Sequence, residues 1–218
     1  MLRYSKGAEP AELDLIRQTE GADWAKSLYG DQRGAVRRDL IRDQGALCAY
    51  CQRRIENSPR SMNIEHWHTR QKRKDLQFEW SNLLGVCLGR DVVGNDASEH
   101  CDKSRKENSP DLYLHPVAGR GADPLACLVY GSDGNIRSAD ACANLDIETL
   151  NLNALHLVRA REALWRQAET ELMSGLLNPD ELAYQAAACT LVQGSEAPEY
   201  LEVKRSILAW QLEEVLLG

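Results

Sequence analysis

Cys48, Cys51, Cys87 and Cys101 lie close together in one third of this 218-residue chain, and no other feature restricts its fold so tightly. Cys48-Ala-Tyr-Cys51 has the spacing that lets two thiolates of one knuckle reach a tetrahedral metal. The chain has seven cysteines, an odd count, and its first residues, MLRYSKGAEPAELDL, lack the apolar run of a secretory signal. Both features fit a disulfide framework poorly. Clustered thiols in a reducing compartment instead predict one structural zinc closed by four sulfurs, with His100 as the alternative fourth ligand. Such a closed site leaves no position for chemistry but staples a short, loop-rich core. A thioredoxin-like redox pair shares the spacing, yet it needs a βαβ context and leaves Cys87 and Cys101 without a role. Cys127, Cys142 and Cys189 have apolar neighbours and read as small core residues.

The net charge of −7 argues against a nonspecific nucleic-acid binder as a whole, because phosphate contacts need Lys and Arg. The charge is uneven, however. Residues 1–119 carry 19 Lys and Arg against 18 Asp and Glu, whereas residues 120–218 carry 7 against 15. Any nucleic-acid surface therefore belongs to the N-terminal half, and the acidic half suits a protein partner. No long uncharged apolar stretch is present, so nothing is expected to span a membrane, and a cytoplasmic protein is the default.

Helical spacing marks residues 8–27 and 34–46, and later 152–173, 178–192 and 197–216. Asn178 is placed to cap the fourth of these, with Pro179 at its first position. Leu47 to Ile64 reads as a short hairpin around the cysteine knuckle. SDGN within residues 126–138 supplies the turn of another hairpin. EWSNLLGVC (79–87) starts a helix or ends a loop, and the Gly-, Asp-, Asn- and Ser-rich stretch 88–99 reads as an inserted loop. Apolar stripes are expected at Leu152, Leu155, Val158, Leu164 and Trp165, and at Tyr200, Val203, Ile207, Trp210 and Leu212.

Between the cysteine pairs lies Ile64-Glu65-His66-Trp67-His68. Asn82 follows in Trp80-Ser81-Asn82-Leu83, and Asp102 comes directly after Cys101. These types suit phosphodiester hydrolysis. A neutral imidazole takes a proton from water at neutral pH, a role for His66. The hard carboxylate oxygens of Glu65 and Asp102 suit a divalent cation, Mg²⁺ or Mn²⁺. Asn82 would orient the His66 ring. Basic residues flank both segments: His68, Arg70, Lys72, Arg73 and Lys74 on one side, Lys103, Arg105 and Lys106 on the other. They are the candidate phosphate contacts. Each has a plainer reading as a cap, an ion pair or a solvated loop residue.

The order of CxxC, acid–His, Asn-Leu and Cys-Asp resembles the signature of the HNH endonuclease family. CAYCQRRI, IEHWHTR, FEWSNLLGVC and HCDKSRKEN look most like the PtuB nucleases of Septu and retron-associated antiphage defence systems. The thirteen residues between Cys87 and Cys101, where the family usually has a second CxxC, are a departure, though a loop excursion between ligands costs little. The resemblance implies an α+β, mostly α-helical fold. Its zinc-stapled ββα-metal core would span residues 47–119, between an N-terminal helical segment at 1–46 and a hairpin and C-terminal helical region at 120–218. It also implies a nucleic-acid substrate and an ATPase partner of the PtuA type, possibly within a retron complex. The rival reading is a noncatalytic zinc-binding adaptor that docks onto such an ATPase.

Overall fold

The structure is a computed structural model that describes residues 1–93, 96–106, 109–175, 178–188 and 195–217. Cys189 lies outside them. Two short helices, α1 (Ala11–Arg17) and α2 (Trp24–Ser27), precede α3 (Gly30–Gln44). The continuous helix expected over 8–27 is broken because Asp23 opens a new one, its carboxylate accepting from Ala25 N at 3.0 Å. α3 ends at Gly45 and Ala46, both left-handed with φ of 60° and 59°, which turns the chain sharply into Leu47.

Strands β1 (Met62–His66) and β2 (Leu83–Cys87) pair antiparallel, with Met62 opposite Cys87 and His66 opposite Leu83. β2 is buried along its whole length, so LLGVC shows no alternation to mark it as a strand. Its inner edge is closed by Gln44 of α3. The Gln44 amide donates to Gly85 O at 2.8 Å and accepts from Gly85 N at 2.7 Å, imitating a strand neighbour. A side chain at Gly85 would press on both Met62 and Gln44, which accounts for the glycine there.

Residues expected to be an inserted loop instead form a hairpin of β3 (Arg90–Val93) and β4 (Asp96–Glu99). At its base Gly89 has φ +66°, and a Cβ there would lie 2.2 Å from His100 O. That glycine lets His100 N donate to Gly89 O at 2.9 Å, drawing the ends of the insertion together. A short 3₁₀ turn, Cys101–Lys103, follows.

The C-terminal half contains α4 (Pro124–Cys127), the hairpin β5 (Val129–Tyr130) with β6 (Ile136–Arg137), and helices α5 (Ala141–Thr149), α6 (Leu155–Met173), α7 (Pro179–Ala188) and α8 (Leu201–Leu217). The hairpin turns at SDGN as expected, and α7 begins at Pro179 with Asn178 Oδ1 accepting from Asp180 N at 2.8 Å. The buried face of α6 is Leu157, Arg161, Trp165 and Ala168, whereas Leu155 is exposed. The expected stripe is therefore rotated. Arg161 sits on the buried face because its guanidinium serves Gly134 O at 2.6 Å and Leu152 O at 2.9 Å.

One apolar cluster runs from Met1 to Ile207. Among the described residues the architecture mixes helices with three antiparallel strand pairs. No helix among the described residues is long and apolar enough to cross a membrane.

Candidate functional site

Cys48 and Cys51 face one another across a tight knuckle. Cys48 N donates to Arg53 O at 2.8 Å, and Gln52, left-handed at φ 66°, donates back to Cys48 O at 3.0 Å. Gln52 ties the knuckle to the C-terminal half by accepting from Glu202 N at 2.8 Å and donating to the Tyr130 hydroxyl at 3.0 Å. Cys87 ends β2. Cys101 opens the 3₁₀ turn in the left-handed region, at φ 55°, with its N–H held by Leu150 O at 2.7 Å.

The four sulfurs are buried and lie within 4.8 Å of one another. Cys48 Sγ is 3.9 Å from Cys101 Sγ, and Cys51 Sγ is 3.7 Å from Cys87 Sγ. A tetrahedron of sulfurs around zinc has edges of about 3.8 Å, so the set fits that ion. Burial works against a Cys51 thiolate, but hydrogen bonds from the other sulfurs and His100 outweigh it and pull the thiol well below its ordinary value. Burial and the neighbouring thiols push Cys101 well above. Four thiolates in this pocket need a cation. His100 Nδ1 stands outside the group, 3.2 Å from Cys101 Sγ and 4.0 Å from Cys87 Sγ, and its ring packs on His156. It adjoins the four sulfurs, and the four thiols are the group that could hold a metal ion.

On the other side of β1, a cavity of about 640 Å³ is lined by Glu65, His66 and Asp102 together. His66 is 5% exposed, and its Nε2 lies 3.0 Å from Gln77 O. A carbonyl only accepts, so Nε2 carries the proton and Nδ1 keeps the lone pair. The Trp24 ring meets the imidazole edge-on at 4.5 Å between centroids. Burial, with Arg70 adding to it, lowers the His66 pKa to about 4, so the ring is neutral at physiological pH.

Glu65 is raised to about 8, first by burial and then by the Asp102 carboxylate, against the opposing pull of Arg105. Asn63 Nδ2 approaches Asp102 Oδ2 at 3.4 Å. The Tyr50 hydroxyl, also buried near these acids, makes no hydrogen bond of ordinary geometry. Two crowded carboxylates lining the cavity are hard oxygen donors that a divalent cation fits.

Asn82 is not at the cavity. Its Oδ1 accepts from His68 N at 2.7 Å, and its Nδ2 donates to His68 O at 3.2 Å and Leu76 O at 3.1 Å. It clamps the loop that carries Gln77 and makes no bond to the His66 ring, contrary to the expected orienting contact. The reason is its position at the start of β2, where the side chain faces the loop.

The expected basic residues divide. Arg70, Lys74, Arg105 and Lys106 line the cavity. Arg105 is not a surface phosphate contact, since its side chain is 1% exposed and donates to Glu65 Oε1 at 2.8 Å, Trp67 O at 2.7 Å and His66 O at 3.4 Å. His68 pairs with Asp111 at 2.9 Å, Lys72 donates to Ser109 O at 2.7 Å, and Arg73 pairs with Asp75 at 2.6 Å. With Lys103, these three stand away from the cavity lining. Among the cavity residues that escaped the sequence reading are Arg33 and Arg37 of α3. They lie far from the cysteine segment in the chain, and only their i,i+4 spacing hints at a shared face.

No family model matches the chain. It is similar to the "Retron Ec83 putative HNH endonuclease" of Escherichia coli, with 26% identity over 203 residues that cover 75% of this chain and 79% of that protein.

Proposed function

We propose that the chain is a metal-dependent HNH nuclease that hydrolyses phosphodiester bonds of nucleic acid, with His66 as general base. The observation that carries this reading is the pinned imidazole. Gln77 O fixes the tautomer, and burial keeps the ring neutral, so Nδ1 is held ready to take a proton as water attacks phosphorus. Glu65 and Asp102 would hold Mg²⁺ or Mn²⁺, which when bound supplies charge neutralisation on the phosphate and on the departing oxygen. Arg105 holds the Glu65 carboxylate and the end of β1 in place. Asn82 keeps the Gln77 loop against His66 from outside the cavity. The four-cysteine zinc is structural and takes no part in hydrolysis.

The similarity to a retron-associated protein supports a role as an antiphage effector. By the resemblance of its motifs, the chain would be a PtuB-like nuclease working with a PtuA-type ATPase. The test is to incubate zinc-loaded protein, with and without that ATPase, with duplex DNA, single-stranded DNA and RNA in Mg²⁺, Mn²⁺ or chelator. Cleavage of at least one substrate only with the divalent ion is expected. No cleavage in any combination would favour the noncatalytic adaptor.

A further inference from the structure

α3 turns two arginines, Arg33 and Arg37, into the cavity that holds His66. They are four residues apart on one helix face, where like charges repel. No carboxylate among the described residues pairs with either within 4.0 Å, although Arg17, Arg42, Arg54 and Arg105 all have acidic partners. Each is nevertheless oriented. Arg33 Nη2 donates to Trp24 O at 3.0 Å, and Arg37 Nε donates to Asn57 Oδ1 at 3.2 Å. Arg33 Nε is buried with no partner, as is the cavity-lining Thr69 hydroxyl. Burial, and after it the Arg33 charge, pull the Arg37 guanidinium below its ordinary value. Two guanidiniums that line one cavity without an acidic partner among the described residues call for an anion.

The spacing identifies which anion. Trp24 neighbours both groups, its ring 4.5 Å from the His66 ring and 5.9 Å from the Arg33 guanidinium. Arg33 and the proposed base thus share one indole as a neighbour in the same cavity. We propose that Arg33 and Arg37 form a second phosphate site, which holds a backbone phosphate next to the scissile one on the same nucleic-acid strand. The site rests on the nuclease reading and deepens it: the substrate is a strand with a phosphate flanking the cut, bound by its backbone. The fork of each guanidinium suits two phosphate oxygens, and nothing in the pair reads a base.

The test separates binding from cleavage. Zinc-loaded full-length His66→Ala protein is titrated with labelled single-stranded DNA, single-stranded RNA and duplex DNA across a range of salt. Adding Arg33→Gln and Arg37→Gln should flatten the slope of log affinity against log salt by about 0.7 on a single strand or about 0.9 on a duplex, the change for one phosphate. Arg33→Lys with Arg37→Lys should recover most of the slope, because the charges return. The probe that the parent binds most tightly identifies the preferred strand type. An unchanged slope in a folded glutamine variant would overturn the site, as would failure of the parent to bind any of the three probes. Cleavage by protein with intact His66, measured alongside, tells whether the nuclease reading stands or falls separately.

Discussion

Arg105 donates to the Glu65 carboxylate at 2.8 Å from a turn that begins at Cys101, so one short segment joins the sulfur cluster to the candidate cation ligand. The Arg105 side chain is buried and that of Glu65 largely so, with exposures of 1% and 12%. Removing one partner of such a pair strands the other. With Glu65 raised to about 8, the cost is that of buried polar partners left unpaired, and Arg105→Ala is expected to lower unfolding free energy by about 1–3 kcal/mol, read by urea denaturation. Arg105→Lys should not restore it, because one ammonium cannot reproduce a planar fork that also serves Trp67 O and His66 O. Equal stability of Arg105→Ala and the parent would mean the contact contributes little.

The sulfur cluster should behave as a folding element. One zinc per chain is expected by elemental analysis, with loss of cooperative unfolding on chelation. Cys48→Ser and Cys101→Ser should lose zinc and solubility together, whereas Cys142→Ser, at an exposed position outside the cluster, should change neither. Equal thermal stability of Cys48→Ser and the parent would contradict the assignment.

Asn82 gives a distinct signature. Its amide makes three bonds to His68 and Leu76, so Asn82→Ala should loosen the loop that presents Gln77 O to His66. A loss of about 1–3 kcal/mol is expected for the buried partners left unpaired, with activity lowered and zinc content unchanged. Zinc loss in that variant would place Asn82 in the knuckle's support instead.

Stability should fall in mild acid. His115 accepts from Val117 N at 3.0 Å and packs on Trp67, and burial, with nearby positive charges, lowers its pKa from 6.5 to about 4. Between those values the unfolded chain binds a proton that the folded chain does not. Its contribution is thus complete above 6.5 and lost as pH drops toward 4. From pH 7 to pH 5 the decline from this group is at most about 2 kcal/mol. His66 shifts in the same direction, while Glu65, raised to about 8, opposes both by favouring the fold at low pH. His115→Asn keeps an acceptor for Val117 N, and in it the decline measured by urea unfolding at the two pH values should shrink. An unaltered decline would exclude His115 as its source.

What the sequence made legible follows physical range. Cysteine spacing pointed to the cluster because a metal imposes strict ligand geometry, and Glu65, His66 and Asp102, flanking those cysteines, reach one cavity. The SDGN turn and the Asn178–Pro179 helix start were readable because both are local. β2 was not, since burial on both faces removes alternation. The β3–β4 hairpin was hidden by turn-forming residues within its strands. Arg105 read as a surface cation and is buried, because its partners come from β1, 38 to 40 residues away. Arg33 and Arg37 belong to a helix whose approach to the cavity depends on Gln44 docking on β2.

The role of His66 is open to one direct measurement, single-turnover cleavage by zinc-loaded protein and its His66→Ala variant in Mg²⁺ or Mn²⁺, with the ATPase present. A rate lower by about 10²–10⁴-fold is predicted for the variant, with zinc content and substrate affinity retained. Equal rates for the two proteins would contradict proton abstraction by His66.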